Sequence, residues 1–111
     1  MDMNQNIGNI MKEAQKMQES MVAAQDEISK IIVIGEAGGG VVKVHMNGSN
    51  DAIKIDIHPS MMEEEASMLG DLVAAAINDA NRKIKKVTQE RISKLTAGFN
   101  LPADFMKDGK E

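Results

Sequence analysis

Six cations stand within thirteen residues of this chain: Arg82, Lys83, Lys85, Lys86, Arg91 and Lys94, in the stretch RKIKKVTQERISK. One acid, Glu90, lies among them. The stretch therefore carries +5, the 111-residue chain −4, and the remainder −9. Charge segregated in this way is the chemistry of polyanion contact, because a local patch rather than the net charge decides where a polyanion lands. On a helix advancing about 100° per residue, Arg82, Lys83, Lys85, Lys86 and Lys94 share one broad face. Arg91 turns toward the apolar side, where its stem can pack. Cations on such a face replace the counterions condensed on a phosphate backbone and need little base readout. The same residues also serve as a solvated helix end, since cations are favoured near a helix C-terminus. Read from residue types alone, the solvated helix end is at least as well supported as polyanion contact. Lys12 and Lys16, one turn apart nearer the N-terminus, form a second and smaller candidate. Like charges at this spacing cost a few tenths of a kcal/mol (about 0.2–0.5), which a polyanion would relieve and which Glu13 and Glu19 also screen. Lys30, Lys43 and Lys54 read as ordinary surface.

Other reactive residue types lack the company that chemistry needs. The chain has no Cys, which removes disulfides, thiolate metal sites and thiol catalysis. His45 and His58 fall on different strands with no third ligand at metal spacing. Glu63, Glu64 and Glu65 are consecutive, and consecutive helical positions do not converge on one ion. Asp51 and Asp56 have no nucleophile or oxyanion donor beside them. Gly38, Gly39 and Gly40 open onto a strand, VVKVHM, whereas a phosphate-cradling loop opens onto a helix. Phe99 and Phe105 are the only aromatics, so base-stacking platforms are missing. The reading is a protein that is not an enzyme, with no cofactor, no metal and no small-molecule substrate. No apolar run reaches the 18 or so residues of a membrane span, and MDMNQNIGN is not a signal peptide. The lack of Cys fits a reducing cytoplasm.

The elements that must position these cations are legible in the periodicity. Ile7, Ile10, Ala14, Met17, Met21, Ala24 and Ile28 recur at spacings of 3 and 4, a heptad seam over residues 7–30. A Met-rich seam of this kind is an oligomer or core surface before it is a peptide groove. The period then becomes two. Lys30 to Glu36, Val41 to Met46 and Ala52 to His58 read as three strands of an antiparallel meander, turned at the triple glycine and at Asn47-Gly48. The last strand alternates Ile53, Ile55 and Ile57 against Lys54, Asp56 and His58, which predicts one buried face. Ser60 is spaced from Glu63 as a capping box opening a short helix, with the three glutamates in its first turn. That helix ends near Gly70, or a new one starts at Ser67. Residues 67–97 are helical, with Leu69, Leu72, Val73, Ala76, Ile77, Ala80, Ile84, Val87 and Leu95 on a broad apolar face and Gly98 as the stop. Asn78, Asp79 and Asn81 interrupt this face without an assigned partner.

The predicted fold is thus α+β: long helix, three-stranded antiparallel meander, short helix, long helix. Residues 1–6 are read as a flexible N-terminus, 7–102 as one domain and 103–111 as a flexible tail. The two long helices would run roughly 36 and 45 Å, while a strand of six or seven residues spans only about 20–24 Å. Their seams outrun the sheet, so they pack on each other, on a second subunit, or both. A homodimer is the economical solution.

Four segments in order, MKEAQKMQESM (Met11 to Met21), GGGVVKVHMNG (Gly38 to Gly48), DLVAAAINDANRK (Asp71 to Lys83) and GFNLPADF (Gly98 to Phe105), resemble the YbaB/EbfC family of small bacterial nucleoid-associated proteins. The likeness runs from about Ile7 to Phe105. It implies a tweezer-like homodimer that binds double-stranded DNA with limited sequence preference and alters its conformation or compaction. It also implies a non-enzymatic protein of the cytoplasm and nucleoid, compatible with roles in gene regulation, compaction or repair. With the resemblance added, Arg82, Lys83, Lys85, Lys86 and Lys94, and secondarily Lys12 and Lys16, become the expected DNA contacts. The tail departs from the family: LPADF stands where a Leu-Pro-Pro-Gly type of ending is common. The competing reading is a helical adaptor that binds an acidic protein through its basic helix or Met-rich seam.

Overall fold

The computed structural model describes residues 3–98. Helix α1 (Met3–Lys30) leads into strands β1 (Ile32–Ala37), β2 (Val42–Asn47) and β3 (Ala52–Ile57). A 3-10 turn (Pro59–Glu63) and helix α2 (Ala66–Ala97) follow. The sheet runs β1-β2-β3, antiparallel at both junctions. This is the expected α+β order. Helix α1 extends about one turn before Ile7, and the strand expected from Lys30 begins at Ile32 because the helix keeps Lys30. The expected tail lies outside the described residues.

Both hairpin turns follow from local chemistry. Gly38, Gly39 and Gly40 all have positive φ, at 63°, 71° and 97°, a region that costs other L-residues roughly 1–2 kcal/mol each. At the second turn the Asn47 side-chain oxygen accepts the backbone N–H groups of Ser49 (2.9 Å) and Asp51 (3.1 Å). Asn50 takes the left-handed conformation at φ 66°, which Asn tolerates better than most residues. A bulge beside this turn, at His45 and Met46, shifts the register toward β3.

The core lies between the sheet and the first half of α2. Strand β2 alternates and buries Val42, Val44 and Met46. They meet Ala76, Ala80 and Ile84 of α2, flanked by Val33, Ala37, Leu69, Leu72, Val73 and Ile77. Small residues bring the helix close. A Cβ placed on Gly35 would stand 2.1 Å from the Ala76 carbonyl oxygen and 2.5 Å from the Ala80 nitrogen.

Three expectations are corrected. The isoleucine face of β3 has the predicted parity, but α2 lies over β1 and β2 and stops short of it. Ile53 remains 57% exposed and Ile55 42%. Ser60 does not cap a helix: His58 caps the 3-10 turn, its Nδ1 accepting the Ser60 backbone N–H at 3.1 Å. Pro59 stands at the first position of this turn, where its fixed φ fits and its missing N–H costs nothing. Glu63 therefore closes the 3-10 turn, and Glu64 and Glu65 precede α2 rather than occupying a first helical turn. Gly70 interrupts nothing, since α2 runs through it. Gly98 does cap α2, its N–H bonding the carbonyls of Leu95 and Thr96, at φ −76° rather than in the left-handed form.

Past Ile84 the helix leaves the sheet and runs beside the C-terminal half of α1, antiparallel to it. Ile28 is buried there, and Met17, Met21 and Ala24 are half-buried. Farther toward the N-terminus the seam has no partner among the described residues: Ile7, Ile10 and Met11 are exposed, Ile10 by 67%. The result is an elongated molecule of 76 × 25 × 16 Å, with a sheet at its body and a helical arm beyond it.

Candidate nucleic-acid interface

The basic segment begins where α2 stops being core. Ala80 and Ile84 are buried, while Arg82, Lys83, Lys85, Lys86 and Lys94 are all exposed. This alternation follows from helical period: the apolar positions face β1 and β2, and the cations between them lie at the flank or away from the sheet.

Two of the cations are already engaged. Lys83 Nζ donates to the Ile34 carbonyl oxygen at 2.6 Å and lies 3.1 Å from Asp79 Oδ2. Arg82 lies 3.6 Å from the other oxygen of the same carboxylate. Asp79 Oδ2 also accepts the Glu36 backbone N–H at 2.9 Å. That N–H donation, followed by the Lys83 ammonium, holds the Asp79 carboxyl below its ordinary range. Because β1 is an edge strand, Ile34 and Glu36 present backbone groups with no strand partner on that side. Asp79 and Lys83, one helical turn apart, satisfy one each, as native edges commonly require.

Arg91 pairs across the helices with Glu27 of α1 at 3.3 Å, in keeping with its expected place on the seam side. Lys85 lines an open groove of about 740 Å³ between the end of α1, the turn at Ser49 and Asn50, and α2. Lys94 lines a smaller groove of about 370 Å³ with Ser20, Ala24 and Leu95. Lys16 lies one turn before Ser20 along α1, and Lys12 one turn farther. Lys85, Lys86, Lys94, Lys12 and Lys16 make no ion pair among the described residues. The structure thus joins Arg82 and Lys83 at one carboxylate and leaves the other five expected contacts, among the described residues, without an ion pair.

Two of the polar interruptions of α2 hydrogen-bond neighbouring elements, one of the two roles their residue types allow. Asp79 ties α2 to β1, and Asn81 accepts a hydrogen bond from the Asn50 amide at 2.9 Å, tying α2 to the β2–β3 turn. The available signal was their position, beside core alanines on an otherwise apolar face.

The sheet face opposite α2 carries a second polar group. His45 Nε2 lies 2.8 Å from Asp56 Oδ2, and Lys54 lies 3.4 Å from Asp56 Oδ1. The His45 hydrogen bond, with Lys54 adding to it, lowers the Asp56 carboxyl below its usual value. Among the described residues no three His, Asp or Glu side chains converge as a metal site, and no helix is long and apolar enough to cross a membrane.

Residues 3–99 match the YbaB/EbfC DNA-binding family. The chain belongs to this family. A nucleoid-associated protein of Legionella pneumophila, strain Philadelphia 1, is 56% identical over 108 residues, covering 97% of this chain and 96% of its own length. A nucleoid-associated protein of Hahella chejuensis is 49% identical over 100 residues, 90% of this chain and 93% of its own. Among solved structures, an uncharacterized protein of Helicobacter pylori superposes with a TM-score of 0.66 at 20% identity, over 86% of this chain and 98% of that one. That likeness supports the fold. The YbaB/EbfC membership agrees with the resemblance carried by the four sequence segments.

Proposed function

We propose that this YbaB/EbfC protein is a nucleoid-associated protein that binds double-stranded DNA with limited sequence preference, as a homodimer, and alters the conformation or compaction of the duplex. One observation carries the reading. The arm of α2 and α1 bears Lys85, Lys86, Lys94, Lys12 and Lys16 without a carboxylate partner among the described residues, in a chain whose net charge is −4. Cations kept unpaired on an acidic protein have a use when a polyanion supplies the counter-charge. The acidic remainder discourages other docking poses. The near absence of aromatic residues suits phosphate contact to a duplex rather than stacking on unpaired bases. Two arms related by a dimer axis would contact one duplex at fixed separation, which favours DNA bent or bridged to fit. The family description is one of DNA binding, not of catalysis, and gives the adaptor reading no support.

The test is duplex affinity as a function of salt for the wild type and for Lys85→Gln/Lys86→Gln/Lys94→Gln. Each phosphate contact contributes about 0.9 to the slope of log K against log salt. The triple variant is expected to flatten that slope by roughly 2–3 for each arm engaged. Unrelated duplexes should bind within a few-fold of one another. An unchanged slope moves the DNA surface elsewhere, and absence of binding at low salt returns the adaptor reading to the front.

A further inference from the structure

The cations of α2 are not equivalent, and the difference is written in what each one touches. Lys83 is bound at both of its available partners. Its ammonium donates to the Ile34 carbonyl oxygen at 2.6 Å and sits 3.1 Å from Asp79 Oδ2. To reach a phosphate it must abandon a backbone carbonyl on an edge strand and leave the Asp79 carboxylate. Asp79 is fixed from the other side by the Glu36 N–H at 2.9 Å. Its side chain is 27% exposed, against 71% for Arg82. Lys85, Lys86 and Lys94 have no such partner among the described residues.

We propose that Asp79 is a positioning residue that withdraws Lys83 from the DNA-binding surface and partly screens Arg82. Lys85, Lys86 and Lys94 then remain as the phosphate contacts of α2. This deepens the DNA reading above and rests on it. Asp79 and Lys83 together form an ion pair that satisfies one N–H and one carbonyl of the β1 edge. A carboxylate at the base of the arm also keeps the affinity of the helix below what its cation count would give. An affinity so limited is useful to a protein that must cover DNA without sequence preference and still exchange, because each added phosphate contact steepens the salt dependence and slows release. Arg82 is the adjustable member. At 3.6 Å and largely in solvent, its pairing with Asp79 is the weak surface kind, and a nearby phosphate competes for it.

The experiment compares full-length wild type with Lys83→Gln, Lys86→Gln, Asp79→Asn and Glu90→Gln, measuring duplex binding across a salt series after each variant is shown to be folded. Asn at position 79 keeps an oxygen for the Glu36 N–H while removing the charge. Glu90→Gln removes the same charge from the same helix, at an exposed residue that holds no cation among the described residues. Lys86→Gln is expected to flatten the slope by about 0.9 for each phosphate that Lys86 holds in the wild type, and Lys83→Gln by less than half as much. Asp79→Asn is expected to bind several-fold more tightly at low salt and to steepen the slope, whereas Glu90→Gln shifts affinity with little change in slope. A Lys83→Gln slope as flat as that of Lys86→Gln overturns the proposal, as does an Asp79→Asn slope no steeper than that of Glu90→Gln. Should Asp79→Asn fail to fold, the Lys83→Gln and Lys86→Gln comparison decides alone. A wild type that does not bind duplex DNA sinks the DNA reading instead, so the two failures are distinguishable.

Discussion

Gly35 of β1 lies directly beneath Ala80 of α2, so close that a Cβ on Gly35 would stand 2.7 Å from the Ala80 Cβ and 2.5 Å from its nitrogen. Two residues without bulk thus set the distance between helix and sheet. Gly35→Ala should push α2 off β1 and destabilise the fold by about 1–3 kcal/mol, the usual range for overpacking. Backbone atoms of Ala76 and Ala80 stand in the way and cannot rotate aside, which favours the upper end. A urea titration with unchanged slope and a lowered midpoint would record the loss. A midpoint equal to that of the wild type would show that the helix shifts freely.

The acid side of the stability profile should report two hydrogen-bonded carboxylates of the described residues, Asp79 and Asp56. Asp79 is held below its ordinary value of 3.8 mainly by the Glu36 N–H and then by Lys83. Asp56 is held below the ordinary value of 3.8 mainly by His45, with Lys54 adding to it. A folded-state pKa that is depressed contributes stability above the unfolded value and loses it as pH falls through the folded value. Both contributions should therefore be complete at neutral pH and disappear as pH falls below 3.8. Asp79→Asn and Asp56→Asn should melt at lower temperature than the wild type at neutral pH, with the gap closing under acid. A gap that stays constant from neutral pH into the acid range would mean that the charge of these residues does not matter to the fold.

How much of this was legible in the sequence depends on the range of each interaction. The helix α1, the meander and the helix α2 were readable because periodicity is local: residues 7–30 repeat at 3 and 4, and β2 alternates Val42, Val44 and Met46. The triple glycine and Asn47 announced their turns for equally local reasons. Ser60 misled because a capping box needs only a spacing, and the spacing does not reveal that the His58 ring accepts the Ser60 N–H and caps the turn instead. Ile53 and Ile55 misled differently. Their alternation shows that a face exists, but not whether one helix is wide enough to cover it. At the basic segment, residue type located the cations and could not rank them. Lys83 and Lys86 look alike in sequence. They differ because Ile34, 49 positions away, offers Lys83 a carbonyl.

The exposed isoleucines of β3 give the homodimer a place to be tested. Ile53 and Ile55 share the parity of the core face, next to Val44, yet α2 covers neither fully. The β1 edge is partly engaged by Asp79 and Lys83, whereas β3 forms the other edge of the sheet. A second copy seated at β3 would continue the core rather than begin a new one. Ile53→Glu/Ile55→Glu places two charges where such a partner must lose water, a cost of several kcal/mol for each buried ion (about 2 or more). The wild type is expected to scatter as about twice the 12.0 kDa chain and the double variant as one, with helical content retained. Duplex affinity should fall together with the mass, because two arms joined in one particle bind far more tightly than either alone, by roughly 10²–10⁴. Ile10→Glu, on the uncovered stretch of α1, is the comparison: it should leave the mass unchanged if the sheet makes the interface. A dimeric double variant alongside a monomeric Ile10→Glu would place the contact on the α1 seam instead. A monomeric wild type at micromolar concentration would remove the homodimer altogether.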